Sequence, residues 1–406
     1  MPVLSGLLRD RSLGRISPWQ LSSNVVTKRL LNLDINSDYE IQPFFTKSVK
    51  SLDIEKHDGK YMLAGGGDGS VALYDLEQSS MGSSGNMKVC NVINSTTAKS
   101  TSDAHKYSVE AVTWFPHDTG MFMTSSMDHT LKIWDTNAWL VAEQFQFEEP
   151  LYCHAVSSCT AHSLIAVARK EHSIKLCNLE TGSTSQILRG HNDRVLSVAW
   201  SPSNDYHLVS GGADNKILMW DVRRAKSLLF ACDQHNGRQQ LTFDGKLGHM
   251  GAVTSVAFTP DGHHVVSLGN DKQLRVWDAS TGTNTLVNFG RMQASSRRSI
   301  QMAISKDSRR RLIFVPNAMN VDCFDLSSGA KLRTLHGHFG NCDACVLRPG
   351  KQELFSGAMD SRILWWSARK AHSPVAVEEV RHRAEVAPRQ VEVPQALQDA
   401  WSSDED

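Results

Sequence analysis

The stretch HNDRVLSVAWSPSNDYHLVSGGADNKILMWD, residues 191–221, recurs as HMGAVTSVAFTPDGHHVVSLGNDKQLRVWD at residues 249–278. Two further copies are HKYSVEAVTWFPHDTGMFMTSSMDHTLKIWD at 105–135 and HFGNCDACVLRPGKQELFSGAMDSRILWW at 338–366. Within each copy, short β-rich apolar runs such as VLSVAW and KILMW alternate with turn residues such as SPSND and GADN, which predicts strands. The internal repeat therefore decides the fold.

Degenerate copies of the same unit end at Tyr74-Asp75, Cys177-Asn178 and Phe324-Asp325, so the count of units is seven. Units of roughly 40 residues with three strands and room for a fourth are typical of propeller blades. The sequence predicts an all-β protein, a seven-bladed β-propeller.

The composition limits the classes of function. Lys plus Arg and Asp plus Glu are both 43 in a chain of 406 residues, so no overall positive field attracts nucleic acid or an anionic membrane. Arginines interrupt the N-terminal MPVLSGLLRDRSLGR, and no run of about 18 apolar residues follows, which predicts a soluble intracellular protein. Eight scattered cysteines are interpreted as reduced thiols.

A His, Ser or Thr, and Asp set recurs four times and resembles a catalytic triad. Each set is followed six residues after the Asp by Trp: His105, Thr124, Asp128, Trp134; His191, Ser210, Asp214, Trp220; His249, Ser267, Asp271, Trp277; and His338, Ser356, Asp360, Trp366. An enzyme needs one nucleophile, whereas a buried indole N–H needs an acceptor in every blade. We interpret the four sets as structural tetrads and expect no catalytic residue.

Three other motifs are interpreted structurally. Cys342 and Cys345 have the spacing of a zinc or redox site, but they align with Val195 and Val198 of a sister unit, which favours core positions on a strand. The glycine-rich AGGGDGS at 64–70 lacks the Gly-Lys-Ser/Thr ending of a phosphate loop, and His263-His264 is expected to be a solvated turn. Neither a metal nor a cofactor is predicted.

The two ends of the chain lie outside the repeats. Because the charged, proline-containing segment after Trp366 offers no fourth strand, VVTKRLLNLDIN at 25–36 is expected to complete blade seven within a propeller at 22–371. Residues 1–21 are expected to form a helical arm with Leu4, Leu7 and Leu8 on one face, limited by Pro18; a frayed tail is the alternative. Residues 372–406 are expected to be an acidic, largely disordered tail, in which Trp401 is a candidate partner anchor.

The repeats look like WD-repeat blades, and the whole chain resembles the Cockayne syndrome group A family of WD-repeat substrate receptors. The matching stretches are KSLDIEKHDGKYMLAGGGDGSVALYDLE (50–77), YSVEAVTWFPHDTGMF (107–122), WDVRRA with DQHNG (220–237), NTLVNFG (284–290) and DAWSS (399–403). Residues 78–104 and 291–312 match poorly and are expected to be variable loops.

One unit departs from the others at its end, where Trp220-Asp221 continues to Val222-Arg223. In the family, Trp-Asp-x-Arg is the box that docks on the damage-specific DNA-binding adaptor of the cullin-4 RING ubiquitin ligase. The resemblance therefore implies adaptor contacts for Trp220, Asp221 and Arg223, together with Leu4, Leu7 and Leu8 of the arm. Arginine suits such an interface because its planar fork makes several fixed hydrogen bonds.

The resemblance implies a non-catalytic substrate receptor that acts in the nucleus, in transcription-coupled nucleotide excision repair. The implied partners are the adaptor, the cullin-4 RING ligase, the Cockayne syndrome group B ATPase and RNA polymerase II, with neither a membrane nor direct binding of nucleic acid. The alternatives are a propeller that binds damaged DNA itself, a hydrolase using His191 or a sister histidine, and a generic interaction scaffold.

The target-facing surface is predicted from geometry. The loops that carry the tetrad histidines are expected to converge around the central channel, at the end of each blade opposite the Trp-Asp turns. The residues that follow these histidines are predicted to contact the target protein, and they are Lys106, Asn192, Arg194, Met250 and Phe339.

Overall fold

A computed structural model describes residues 9, 11–81, 87–97, 103–158, 162–237, 245–293 and 299–368 of the chain. The predicted contacts at Leu4, Leu7, Leu8 and Trp401, the tail from residue 372 and Cys159 lie outside these residues. The described part contains a 14-residue helix, α1 (Pro18–Leu31), and thirty strands. No helix of the described residues is long and apolar enough to cross a membrane.

The strands, numbered in chain order, form eight sheets. Their bounds are β1 (Leu33–Ile35), β2 (Tyr39–Ile41), β3 (Val49–Ile54), β4 (Tyr61–Gly66), β5 (Val71–Asp75), β6 (Ser80–Met81), β7 (Lys88–Cys90), β8 (Val92–Thr96), β9 (Val109–Trp114), β10 (Met121–Ser126), β11 (Thr130–Asp135), β12 (Leu140–Gln146), β13 (Leu151–Val156), β14 (Leu164–Arg169), β15 (Ser173–Asn178), β16 (Ser183–Arg189), β17 (Val195–Trp200), β18 (His207–Gly212), β19 (Ile217–Asp221), β20 (Leu228–Ala231), β21 (Val253–Phe258), β22 (His264–Gly269), β23 (Leu274–Asp278), β24 (Ala303–Ile304), β25 (Leu312–Asn317), β26 (Asn320–Asp325), β27 (Lys331–His336), β28 (Cys342–Leu347), β29 (Glu353–Ala358) and β30 (Ile363–Ala368).

The strand order of each sheet follows the repeat. Sheets one to seven have the orders β3-β4-β5-β8, β9-β10-β11-β12, β13-β14-β15-β16, β17-β18-β19-β20, β21-β22-β23, β24-β25-β26-β27 and β28-β29-β30-β1, and sheet eight has the order β2-β7-β6. The first seven are antiparallel, whereas β2 and β7 of sheet eight are parallel. The predicted all-β propeller of WD repeats is confirmed.

Among the described residues seven apolar cores hold the sheets together, and six of them lie between successive sheets from one to seven. The last core joins sheet seven to sheet one through Phe355 and Trp365 on one side and Leu52 and Ile54 on the other. The arrangement therefore closes on itself and leaves neither of these sheets without a neighbour, as burial of both faces of each sheet requires.

The number of sheets differs from the prediction of seven, because residues 78–104 are not simply a variable loop. They supply β6, β7 and β8, and the first two of these strands join β2 as sheet eight, where Cys90 and Ile41 extend the core between sheets seven and one. Residues 291–312 likewise contain β24 and the start of β25. Short strands without the repeat's apolar pattern gave no sequence signal.

The N-terminal segment was assigned only partly correctly. β1 pairs with β30, with Leu33 opposite Ala368 and Ile35 opposite Trp366, so sheet seven takes its fourth strand from the start of the chain. Residues 25–31, predicted as part of that strand, instead belong to α1. Pro18 was expected to limit the helix of the arm at 1–21, but Pro18 is the first residue of α1, where a missing N–H costs nothing.

Candidate functional site

The structure brings each predicted tetrad together in the interior. In sheet four, His191 Nε2 lies 2.7 Å from Ser210 Oγ, and Trp220 Nε1 donates to the same oxygen at 2.8 Å. His191 Nδ1 lies 2.9 Å from Asp214 Oδ1. The same chain of bonds recurs in the three sister tetrads: His105, Thr124, Asp128, Trp134; His249, Ser267, Asp271, Trp277; and His338, Ser356, Asp360, Trp366.

In the tetrads of His105, His249 and His338 the pKa shifts favour a neutral imidazole beside an ionised carboxylate. Burial lowers the pKa of His105, His249 and His338, against the opposing effect of their Asp partners. Burial alone would raise the pKa of Asp128, but hydrogen bonds, above all that to His105, hold it below its ordinary value. Each Ser or Thr hydroxyl is fully buried between an imidazole and an indole, so the geometry stabilises the blade and offers a substrate no access.

The sheets present two faces. In an antiparallel sheet the first and third strands run in the same direction, so the His loops before the first strands lie at the opposite end from the Trp-Asp pairs that close the third strands. We call these ends the His-loop face and the Trp-Asp face. Because β1 runs antiparallel to β30, helix α1 precedes β1 at the end where β30 finishes, on the Trp-Asp face.

Arg223 is fixed on the Trp-Asp face by two neighbours. Its Nε and Nη2 donate to the two carboxylate oxygens of Asp221 at 3.1 and 3.0 Å, and its guanidinium carbon lies 4.4 Å from the centre of the Tyr206 ring. The side chain keeps 54% of its surface exposed. Hydrogen bonding from Arg223 lowers the pKa of Asp221. The guanidinium is therefore held in one orientation while remaining open to a partner.

Two residues predicted to contact the adaptor are placed differently. Trp220 is fully buried and Asp221 is 1% exposed, so neither side chain reaches a partner surface. The indole is committed to Ser210 and the core, and the carboxylate to Arg223. Of the three box residues, only Arg223 is available for direct contact. Tyr206, which sequence reasoning missed, supports it; the ring lies in the loop before β18 and has no repeat signature.

Helix α1 packs on sheets six and seven, where Leu30 joins their shared core and Arg29 Nη1 donates to Gln352 Oε1 at 2.9 Å. Ser17 and Gln20 form a reciprocal N-terminal cap, with Gln20 N donating to Ser17 Oγ and Ser17 N to Gln20 Oε1. Arg309 N donates to Thr27 Oγ1 at 2.8 Å and Arg333 Nη1 to Leu31 O at 2.7 Å.

The outer side of α1 carries an exposed tryptophan and an apolar groove. Trp19 is 72% exposed, and a groove of about 390 Å3 is lined by apolar residues of α1, including Leu21 and Val25, and by Arg11 and Arg29. An apolar groove beside two cations suits a protein partner.

The residues after the tetrad histidines are all exposed on the His-loop face. The backbone N–H groups of Lys106, Asn192, Met250 and Phe339 each donate to the tetrad Asp of their own sheet, so the tetrads position these loops. Arg194 is also exposed. Phe339 is 85% exposed and Met250 69%, which is unusual for side chains of this size.

Two apolar neighbours of Phe339 were missed by sequence reasoning. Met319 and Met359 are also exposed, in the turns before β26 and β30. These turns and the Phe339 loop are bonded together, since Cys342 N donates to Ala318 O at 2.7 Å and Met359 N to Asn341 O at 2.8 Å. We call Met319, Phe339 and Met359 the apolar patch. Three exposed apolar side chains therefore lie on bonded turns of sheets six and seven.

The remaining motifs have structural positions. Cys342 and Cys345 are buried on β28, and burial raises the pKa of both thiols above the ordinary value. His263 is exposed, but His264 begins β22 and is half-buried, so only the first of this pair fits a solvated turn. Within the described residues, no group of three or more His, Cys, Asp and Glu side chains is placed to hold a metal ion.

Comparisons with known proteins agree with this architecture. Residues 97–135, 182–221 and 237–278 match the WD domain, G-beta repeat. The chain is 30% identical to WD repeat-containing protein ATCSA-1 of Arabidopsis thaliana, in a match that covers 89% of this chain and 94% of that protein. It is also 28% identical to a ribosome biogenesis protein WDR12 homolog of Drosophila persimilis, over 57% of this chain and 51% of that protein.

The repeated sheets and their buried His, Ser or Thr, Asp and Trp chains define a WD-repeat propeller protein. Within that class, the near full-length similarity places the chain in a narrower group, and it belongs to the family of WD repeat-containing protein ATCSA-1. The resemblance predicted from the sequence is confirmed at the level of this WD-repeat relationship.

Proposed function

We propose that this chain is the non-catalytic substrate-recognition subunit of a cullin-4 RING ubiquitin ligase in the nucleus. The Trp-Asp face docks on the damage-specific DNA-binding adaptor, and the His-loop face presents proteins of the stalled RNA polymerase II complex for ubiquitination in transcription-coupled nucleotide excision repair. Sheets one to seven act as the seven blades of the ring and sheet eight as an accessory to it.

The observation that carries the proposal is the shared location of two docking elements. Arg223 and the exposed side of α1 lie on the same face, one on sheet four and the other beside sheets six and seven. A rigid receptor that contacts an adaptor at two separated points is held in one orientation, as presentation of a target requires. Arg223 should lose little conformational entropy on binding, because Asp221 and Tyr206 already fix its guanidinium.

The adaptor contact is tested by Arg223→Gln in the full chain. We expect binding of the purified adaptor to weaken by about tenfold or more, because loss of one interfacial Arg removes fixed hydrogen bonds. Gln is preferable to Glu here, since Glu would face the buried Asp221 carboxylate, whereas Arg224 at 3.3 Å still balances Asp221 in the Gln variant. Asn137→Gln alters the equivalent turn position of sheet two and serves as the control. Adaptor binding equal to that of the unaltered chain would contradict the proposal.

The apolar patch is the proposed contact for the Cockayne syndrome group B ATPase. Met359→Asn and Phe339→Asn should weaken binding of that purified ATPase and leave adaptor binding unchanged, because both side chains are exposed on the opposite face. Met81→Asn, at an exposed methionine of sheet eight, is the matched control. Equal loss of both partners would mean that the two faces are assigned wrongly. Salt-sensitive binding of the isolated chain to damaged duplex would instead support direct DNA recognition.

A further inference from the structure

A second feature of the Trp-Asp face lies beside Arg223. A groove of about 710 Å3 runs between sheets four and five, with Leu229, Phe230 and Phe258 among the apolar residues that line it. Ser280 stands at its rim in the turn after β23. The volume is in the range of sites that accept an organic group.

The groove is continuous with the Arg223 site through His207. This side chain lines the groove, and in the register of β18 and β19 it lies directly opposite Asp221, the residue that holds Arg223. Val222 N donates to Tyr206 O at 3.0 Å, which ties the turn that carries Arg223 to the strand that borders the groove. One partner segment is therefore able to contact both.

The hydrogen bonds that Arg223 makes within the chain define what it offers a partner. Asp221 uses the Nε hydrogen and one Nη2 hydrogen, so the two Nη1 hydrogens and the second Nη2 hydrogen remain. The Nη1 and Nη2 groups then form an end-on fork that matches the two oxygens of a carboxylate. Arg224 also contacts Asp221, so the two guanidinium groups and one carboxylate carry a net positive charge of one.

Resting on the proposed function, we propose that the groove and Arg223 together bind one segment of the adaptor that carries a carboxylate close to a large apolar side chain. The carboxylate pairs with the end-on fork of Arg223, and the apolar side chain enters the groove against Leu229, Phe230 and Phe258. Apolar anchors that fill a pocket next to a charged pair carry much of the binding energy of protein interfaces.

The groove is tested by Ser280→Trp in the full chain, because an indole at this exposed rim position fills the groove without altering the core. Ser280 and Ser327 are matched positions. Ser280 N donates to Asp278 Oδ1 at 2.8 Å, and Ser327 N donates to Asp325 Oδ1 at 2.9 Å in the equivalent turn of sheet six. Ser327→Trp therefore puts the same indole on the same face one sheet away, and Ser280→Ala removes the hydroxyl while leaving the groove open.

We expect Ser280→Trp to weaken binding of the purified adaptor by about tenfold, and Ser327→Trp and Ser280→Ala to change it by less than about twofold. The pairing with a carboxylate is tested by the salt dependence of adaptor binding. Raising the NaCl concentration should weaken adaptor binding by Ser280→Trp as steeply as adaptor binding by the unaltered chain. For Arg223→Gln the decrease should be less steep.

If Ser280→Trp bound the adaptor with unchanged affinity and its thermal unfolding were unaltered, the groove would have no role in adaptor binding. The proposed adaptor contact of Arg223 would not be affected by that result. If Arg223→Gln left the salt dependence of adaptor binding unaltered, the proposed pairing of Arg223 with a carboxylate of the adaptor would be wrong. An unaltered chain that does not bind the adaptor at all would overturn the proposed function, and this inference with it.

Discussion

Sheets three and four are neighbours with the same strand order, yet their interiors are built from different chemistry. By register, Cys177 of sheet three corresponds to Trp220 of sheet four, and Val167 to Ser210. Sheet three thus lacks the hydroxyl and the indole of the tetrad. It instead buries Arg169, whose Nη2 donates to Ser173 Oγ at 2.7 Å and pairs with Glu171, the residue at the tetrad Asp position.

The difference shows that a propeller blade forms without the hydrogen-bonded tetrad. Both sheets alternate buried side chains toward their two neighbours, and both contribute to the same core through residues such as Leu176 and Leu218. The alternation of buried side chains along the strands is common to both sheets. The tetrad is an additional feature, and it must be complete where it occurs because a partly satisfied buried polar network lowers stability.

The turns on the Trp-Asp face differ in the same way. Where sheet four presents Arg223, sheet three presents Glu180, whose side chain accepts a hydrogen bond from Ser163 Oγ at 2.9 Å. Each turn is built by the residue that ends the third strand, Asn178 in one and Asp221 in the other, which accepts a backbone N–H two residues on. The first hydrogen bond of the turn is therefore the same in both sheets, and the side chain two residues after the strand, Glu180 or Arg223, sets the charge that each sheet presents there.

The largest effect on stability is expected from Ser210→Ala in sheet four. Loss of Ser210 Oγ leaves the N–H of Trp220 and the ring of His191 without their shared partner inside the core, which costs about 1–3 kcal/mol of unfolding free energy. Chemical denaturation of the full chain measures it. In sheet three the reverse change, Val167→Ser, should also destabilise, because it removes buried apolar surface and, although the His154 ring lies opposite, Cys177 supplies no indole to complete a tetrad. Stabilisation by Val167→Ser would contradict the comparison.

A smaller, pH-dependent effect is expected at His154. This residue of sheet three occupies the position of Val198 in sheet four. Its Nδ1 lies 2.9 Å from Ser125 Oγ, and among the residues that the structure describes its Nε2 has no hydrogen-bond partner. Burial lowers the pKa of His154 to about 3. A histidine whose pKa is lowered on folding stays neutral in the folded protein, whereas the unfolded chain binds a proton at this residue below its ordinary pKa of about 6.5. The free energy of unfolding therefore decreases as the pH falls below about 6.5.

His154→Val should therefore flatten the acid sensitivity of the protein. Between pH 7.5 and 5.5 the unaltered chain should lose about 1 kcal/mol more unfolding free energy than the variant, from this one group. Asp53, whose pKa burial raises to about 6, acts in the opposite direction, but it is present in both proteins and cancels from the difference. Identical pH profiles for the two proteins would argue against a neutral His154.

The smallest effect is expected at Tyr206, the ring beneath Arg223. Tyr206→Leu removes the cation–π contact and should weaken adaptor binding by about two- to fivefold, while Tyr206→Phe should restore it because the ring face is retained. Thermal unfolding of the two variants distinguishes orientation of Arg223 from stability of sheet four. Equal affinities for Leu and Phe would remove Tyr206 from the site.

Much of this molecule was predictable from the repeat. The alignment of sister units gave the strands, the four tetrads and the outward position of Arg223, because each feature depends on spacing along one unit. Sheet eight and helix α1 were missed or misplaced, since neither has a sister copy. The sequence VVTKRLL has β-branched residues typical of a strand, but the cap formed by Ser17, Pro18 and Gln20 and the packing of Leu30 against sheet seven favour a helix.

The sequence alone determined the class of fold and the residue types at each repeated position, because a blade buries its strands by local alternation. Only the tertiary structure decided which of those residues stay exposed at the surface. It buried Trp220 and Asp221, placed Arg223 over Tyr206, and collected Met319, Phe339 and Met359 into one patch. These outcomes depend on contacts between residues far apart in the chain and on which end of each strand faces solvent, and the spacing within a repeat carries no record of either.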